Sequence, residues 1–103
     1  MPPAAAASLV RWDDGTRFGV DVAVTTRHGG VSPPPYATLN LGLHVGDEPA
    51  NVAANRARAA TAFGVDLGSM VFARQVHGAR AVQVGPADRG RGVATEDDAI
   101  PDA

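Results

Sequence analysis

Thr25-Thr26-Arg27-His28-Gly29-Gly30-Val31-Ser32-Pro33-Pro34-Pro35-Tyr36-Ala37-Thr38-Leu39-Asn40-Leu41-Gly42-Leu43-His44-Val45-Gly46 has neither the period of a helix nor that of a strand. A loop this long inside a compact domain is either functional or disordered. Tyr36, Leu39, Leu41, Leu43 and Val45 give its second half apolar anchors that a solvated linker lacks, so an ordered loop that carries function is expected. The competing reading is a surface connection rich in turn residues.

On the N-terminal side, Val20, Val22 and Val24 alternate with Asp21, Ala23 and Thr25, the period of a half-buried strand. Leu9 to Trp12 is a second short apolar run, closed by Asp13-Asp14-Gly15, and the two runs suggest a hairpin of uncertain register. The first 19 residues are therefore read as a tail plus a first strand, with Pro2 to Ser8 as a loose tail. Residues 20–103 form the remainder of a single domain.

On the C-terminal side, Asp47 and Glu48 precede Pro49, as a helix N-terminus favours. Val52, Arg56, Ala59, Ala60 and Phe63 share one face of a helix that ends near Phe63, before Gly64. Asn51 and Asn55 weaken that helix slightly. Met70 to His77 alternates as a strand would, and Gly78-Ala79 permits a reversal into a second strand over Arg80 to Val84. From Gly85 the pattern fades into loop residues.

With 103 residues and a net charge of −2, the chain has room for one small domain and no electrostatic footprint for nucleic acid or an anionic membrane. The absence of cysteine excludes disulfides and any thiolate metal site made by this chain alone. The N-terminus lacks the basic flank and apolar run of a secretory signal or membrane span, so a cytoplasmic location is expected.

The chemistry-bearing residues are few. His28, His44 and His77 do not have the helical spacing of a metal pair, and each has an ordinary reading: loop polar group, partly buried hydrogen-bonder and turn residue. Gly29-Gly30 is not a dinucleotide fingerprint. Arg27 beside two bare glycines could hold a phosphate, since a guanidinium offers a planar fork of donors; the alternative is an arginine paired with a surface carboxylate.

Thr25-Thr26-Arg27-His28-Gly29-Gly30-Val31-Ser32, Tyr36-Ala37-Thr38-Leu39-Asn40-Leu41-Gly42, Val45-Gly46-Asp47, Asn55-Arg56 and Gln75-Val76-His77-Gly78 together resemble the laccase-domain, or multicopper polyphenol oxidoreductase-like, family. The resemblance runs in order from about Val20 onward and implies an α/β (α+β) fold, a mixed sheet flanked by helices, of which this chain is the N-terminal part. Members include purine nucleoside phosphorylases and adenosine deaminases. The implied site holds zinc, sometimes assigned as copper, bound by the histidine matching His77, by a later cysteine and by a later histidine. The last two have no counterpart here.

The implied reaction is phosphorolysis of a purine nucleoside such as adenosine, inosine, guanosine or methylthioadenosine, with adenosine deamination as a second activity. Deamination would rest on a metal site that lowers the pKa of water. His77 is the implied metal ligand. Arg27 is the candidate anion site, and His28, Asn40 and Gln75 join it as candidate substrate-binding residues by their positions in the motifs. A single imidazole cannot hold zinc usefully, so the chain by itself is expected to bind zinc poorly and to be inactive, and a separately encoded C-terminal piece is a candidate partner. The contrasting expectation is a non-catalytic remnant serving as a small interaction module. A phenol-oxidising copper cluster is disfavoured, because it needs many more ligands.

Overall fold

The hairpin forms as the two apolar runs suggest. In a computed structural model that describes residues 6–103, β1 (Leu9–Trp12) pairs antiparallel with β2 (Val22–Thr25). The register sets Leu9 opposite Thr25, Val10 opposite Val24, Arg11 opposite Ala23 and Trp12 opposite Val22. The connection is a 3-10 helix, Asp13–Phe18, closed by Gly19 at φ 73°, a conformation that side chains resist. Pairing runs on past the strand ends, where Thr26 N–H donates to the Ser8 carbonyl (3.1 Å) and Ser8 N–H to that of His28 (3.4 Å). Ser8 is thus tied into the ribbon, which corrects the expectation of a loose tail for that residue; residues 1–5 of that stretch lie outside those described.

The two ribbon faces have opposite fates. Leu9, Ala23 and Thr25 turn toward the helix, and Arg11 reaches Phe63 with its guanidinium 5.2 Å from the ring centre. Val10, Trp12, Val22 and Val24 occupy the other face and are exposed. The strand period is therefore as read, but it is the small residues, and not the valines, that face inward.

Helix α1 (Pro49–Phe63) begins at its proline and ends at Gly64 (φ 85°), whose N–H donates to the carbonyls of Ala60 (2.9 Å) and Thr61 (3.1 Å). Val52, Asn55, Arg56, Ala59 and Ala60 are buried, the 3-and-4 spacing of a core-facing helix stripe. Two of the five are polar. With Leu39, Ala99 and Ile100 the helix alanines and Val52 make a core of small residues, and a cavity of about 200 Å³ remains between ribbon and helix, lined by Leu9, Ala23, Leu41, Ala59, Phe63 and Phe72 among others.

The strands expected over 70–77 and 80–84 do not form, although the chain bends at His77 and Gly78. Met70 to Arg74 finds backbone partners without forming a ladder: the Met70 carbonyl accepts from Gly90 N–H (2.8 Å), Ile100 N–H donates to the Phe72 carbonyl (3.1 Å) and Arg74 N–H to that of Ile100 (2.8 Å), giving a single parallel bridge between Ala73 and Ile100. Alternation alone does not make a strand, which needs a neighbour to take its N–H and C=O groups. The loop after Gly85 also does more than expected. A 3-10 turn over Pro86–Asp88 leads to Phe72 N–H donating to the Arg91 carbonyl (2.8 Å), and Ala99 and Ile100 are buried. Antiparallel ribbon, parallel bridge and helix together give the α/β mixture expected. Among the described residues no helix is long and apolar enough to cross a membrane.

Candidate functional site

Two consecutive helix residues fasten the long loop. Asn55 is fully buried; its Oδ1 accepts from Val31 N–H (2.8 Å), and its Nδ2 donates to Ser32 Oγ and to the Asn40 carbonyl (2.8 Å each). Ser32 Oγ donates onward to Asp47 (2.5 Å), which also accepts from Asn40 Nδ2 (3.1 Å). The Ser32 bond, followed by those from Asn40 and the Glu48 N–H, lowers the Asp47 carboxyl below its usual 3.8. Arg56 donates through Nε to the Leu41 carbonyl (2.9 Å) and through Nη1 to those of Gly92 and Val93, and its guanidinium lies 3.9 Å from the centre of the Phe72 ring. Burial pushes the Arg56 pKa down, and the nearby Glu96 charge works against that. Loop, C-terminal segment and Phe72 thus converge on one turn of helix.

This clasp shapes two neighbouring cavities. One, of about 360 Å³, is bordered by Asn40, Gly42, His44, Arg56, Gln75 and Glu96. The other, of about 440 Å³, is bordered by Arg27, Pro35, Tyr36, Leu39, Asn40 and Val45. Asn40 is common to both. Tyr36 helps hold the second in shape, its hydroxyl donating to the Val45 carbonyl (2.6 Å).

The structure therefore brings Asn40 and Gln75 to one cavity and puts Arg27 next door. Among the described residues the Arg27 guanidinium forms no ion pair, so the alternative of a surface carboxylate partner is not realised. Asn40 is engaged internally: its Oδ1 accepts from Gly42 N–H (3.1 Å) and its Nδ2 donates to the Gly42 carbonyl (3.3 Å) as well as to Asp47. Its amide shapes the wall between the cavities. His28 is exposed and borders neither; its backbone N–H donates to Thr26 Oγ1 (3.2 Å). His77 is likewise exposed and outside both, two residues past Gln75. His44, expected to be partly buried, is exposed at the mouth of the first cavity with Nδ1 3.5 Å from Glu96.

Among the described residues no three histidine, aspartate or glutamate side chains gather to hold a metal ion. The donor set present does not fit a complete zinc site. The residues that sequence reading missed are Asn55 and Arg56 as the clasp, and Glu96 as the partner of His44. The available signal was two long polar side chains on the inward face of an alanine-rich helix, where burial demands that they be hydrogen-bonded.

Comparison with known proteins identifies the family. A family described as multi-copper polyphenol oxidoreductase laccase matches residues 21–102. A purine nucleoside phosphorylase of Mycobacterium tuberculosis is 55% identical over 73 residues, covering 71% of this chain and 28% of the relative. The purine nucleoside phosphorylase YlmD of Geobacillus stearothermophilus is 43% identical over 83 residues, 81% of this chain and 30% of the relative. Crystal structures of YfiH from Bacillus licheniformis (TM-score 0.82, 35% identity, 97% of this chain, 36% of that one) and of the Geobacillus YlmD (0.74, 39%, 98% and 33%) superpose along nearly the whole chain. The chain spans about a third of the length of these relatives. By sequence and by fold, it belongs to the multi-copper polyphenol oxidoreductase laccase family.

Proposed function

We propose that this chain supplies the N-terminal part of a purine nucleoside phosphorylase, with the phosphate held at Arg27 and the nucleoside in the adjoining cavity between His44 and Gln75. The observation that carries the reading is the pair of cavities sharing Asn40, with the Arg27 guanidinium, which has no carboxylate partner among the described residues, in one and the Gln75 amide in the other. The names of the relatives, purine nucleoside phosphorylases, support it. In the reaction a phosphate oxygen forms a bond to C1 of the ribose as the bond from C1 to the purine nitrogen breaks, and the electron pair leaves with the base. A guanidinium beside the phosphate holds it by paired charge-assisted hydrogen bonds and orients it for that displacement.

Zinc is part of the same proposal, with His77 as one ligand and the others supplied from outside these residues. Adenosine deaminase activity belongs with that completed metal site. The chain by itself is expected to be inactive, and a cytoplasmic location is assigned with the function.

The test is complementation. This chain, co-expressed with the part of Geobacillus YlmD that lies outside the match, should release hypoxanthine from inosine only when phosphate is present. Arg27→Ala should then raise KM for phosphate while leaving KM for inosine nearly unchanged. Phosphorolysis with an unaltered phosphate KM in that variant would remove the anion role from Arg27.

A further inference from the structure

Most polar side chains that border the cavity between His44 and Gln75 are already engaged by the protein. Asn40 is bonded to Gly42 and Asp47, Arg56 to the carbonyls of Leu41, Gly92 and Val93, and the His44 ring faces Glu96. Gln75 and Glu96 are the exceptions. Among the described residues neither side chain takes part in a hydrogen bond, and the Glu96 carboxylate has one ion-pair contact, His44 Nδ1 at 3.5 Å. The backbone of Glu96 is nonetheless fixed, its carbonyl accepting from Ala99 N–H and from Arg74 Nη2 (3.2 Å each). Its charge also acts on Arg56, whose Nε and Nη1 donate to carbonyls and not to this carboxylate. A carboxylate with open lone pairs thus stands at the cavity wall.

A nucleoside carries two kinds of polar surface. Its base edge mixes donors and acceptors, which an amide such as that of Gln75 matches. Its ribose presents neighbouring hydroxyls, each able to donate, and the two oxygens of one ionised carboxylate, which only accept, can take both. Placement favours the sugar for Glu96. Asn40 and Val45 border both cavities, so a ribose whose C1 faces a phosphate at Arg27 lies on their side, and His44, against which Glu96 rests, directly precedes Val45. We propose that Glu96 accepts the 2′- and 3′-hydroxyls of the ribose and thereby makes the site select ribonucleosides over 2′-deoxyribonucleosides. The inference rests on the nucleoside reading of this cavity and goes beyond it by assigning the residue that reads the sugar.

Both cavities are bordered by residues of this chain, so binding is measured on the chain itself. Titration with inosine, followed by NMR, should shift the His44 ring protons and the Gln75 side-chain amide. 2′-Deoxyinosine should bind roughly tenfold or more weakly, because it leaves a charged acceptor without one of its hydroxyls. Glu96→Gln keeps the shape of the side chain and the backbone bonds at that position, so its Tm should match that of the parent. In that variant inosine should bind about tenfold more weakly, and the preference over 2′-deoxyinosine should fall to about twofold or less.

No response of His44 to inosine overturns the proposal, as does equal affinity of the parent for the two nucleosides or a preference that survives Glu96→Gln. Equal binding of inosine and 2′-deoxyinosine, together with loss of 1-methylinosine binding, overturns it in favour of a base-reading Glu96. Ribose-selective binding that depends on Glu96, without phosphate-dependent hypoxanthine release in the co-expressed pair, would sink the proposed function and leave the sugar contact standing. Phosphorolysis that treats inosine and 2′-deoxyinosine alike would do the reverse.

Discussion

Replacing Asn55 with alanine removes an acceptor from the Val31 N–H and donors from Ser32 Oγ and the Asn40 carbonyl, in a site closed to water. Each hydrogen bond of this kind contributes about 1 kcal/mol net, and a buried group left unpaired costs about 1–3 kcal/mol. Three bonds lost at once give a destabilisation of about 3 kcal/mol or more, against a total of roughly 5–15 kcal/mol for a domain of this size. The expected fall in Tm is on the order of 10–20 °C. Thermal melts followed by circular dichroism measure it, with Asn51→Ala on the same helix as a control expected to change stability by no more than about 0.5 kcal/mol. Hydrogen exchange at the Val31 amide gives the local readout, because the clasp predicts that this N–H loses protection before the helix does. A loss below about 1 kcal/mol, or a Val31 amide as protected as in the parent, would refute the view that the helix holds the loop through Asn55.

Gly30→Ala should prevent the loop from closing, because a Cβ there would run into the Thr38 carbonyl and lie 2.5 Å from Leu39 Cα; Gly85→Ala, with nothing within 4 Å, should be tolerated, and the two Tm values compare them. Asp47 has its pKa lowered on folding by the Ser32, Asn40 and Glu48 bonds, so its contribution is complete above the unfolded value of 3.8 and is lost as pH falls through the lower folded value. Asp47→Asn should therefore be less stable than the parent at neutral pH, with the gap narrowing below pH 3.8; a gap constant down to the acid transition would contradict this. Zinc titration of this chain by calorimetry should show no tight stoichiometric binding, since no three ligands gather among the described residues, and a tight one-to-one isotherm would defeat that expectation.

The helix was legible because its signals are local. Pro49 at the start, Gly64 at the end and a 3-and-4 stripe between them need no information from elsewhere in the chain. The ribbon was legible as a period but not as a direction, because alternation of Val22 and Val24 with Ala23 and Thr25 says that two faces differ without saying which is covered. The segment after Met70 misled for a related reason: its alternation describes a strand, and among the described residues its partners are a few bonds to Gly90, Arg91 and Ile100 that stop at Arg74. Asn55 and Arg56 were underread because propensity treats a polar residue in a helix as a small defect, whereas their bonding partners lie 15 to 37 residues away in sequence. The motif residues Arg27, Asn40 and Gln75 were placed by resemblance, and their convergence on adjoining cavities required the fold.

Among the described residues, positions 75–84 form no backbone hydrogen bonds. The imidazole of His77 therefore sits on an arm that no backbone ladder among the described residues holds, and each backbone residue whose freedom is lost when such an arm is captured costs about 1–2 kcal/mol in entropy. Under the metal role proposed for His77, the metal must offset that loss first, so affinity at this position would be improved more by laying a strand alongside the arm than by sharpening the chemistry at its tip.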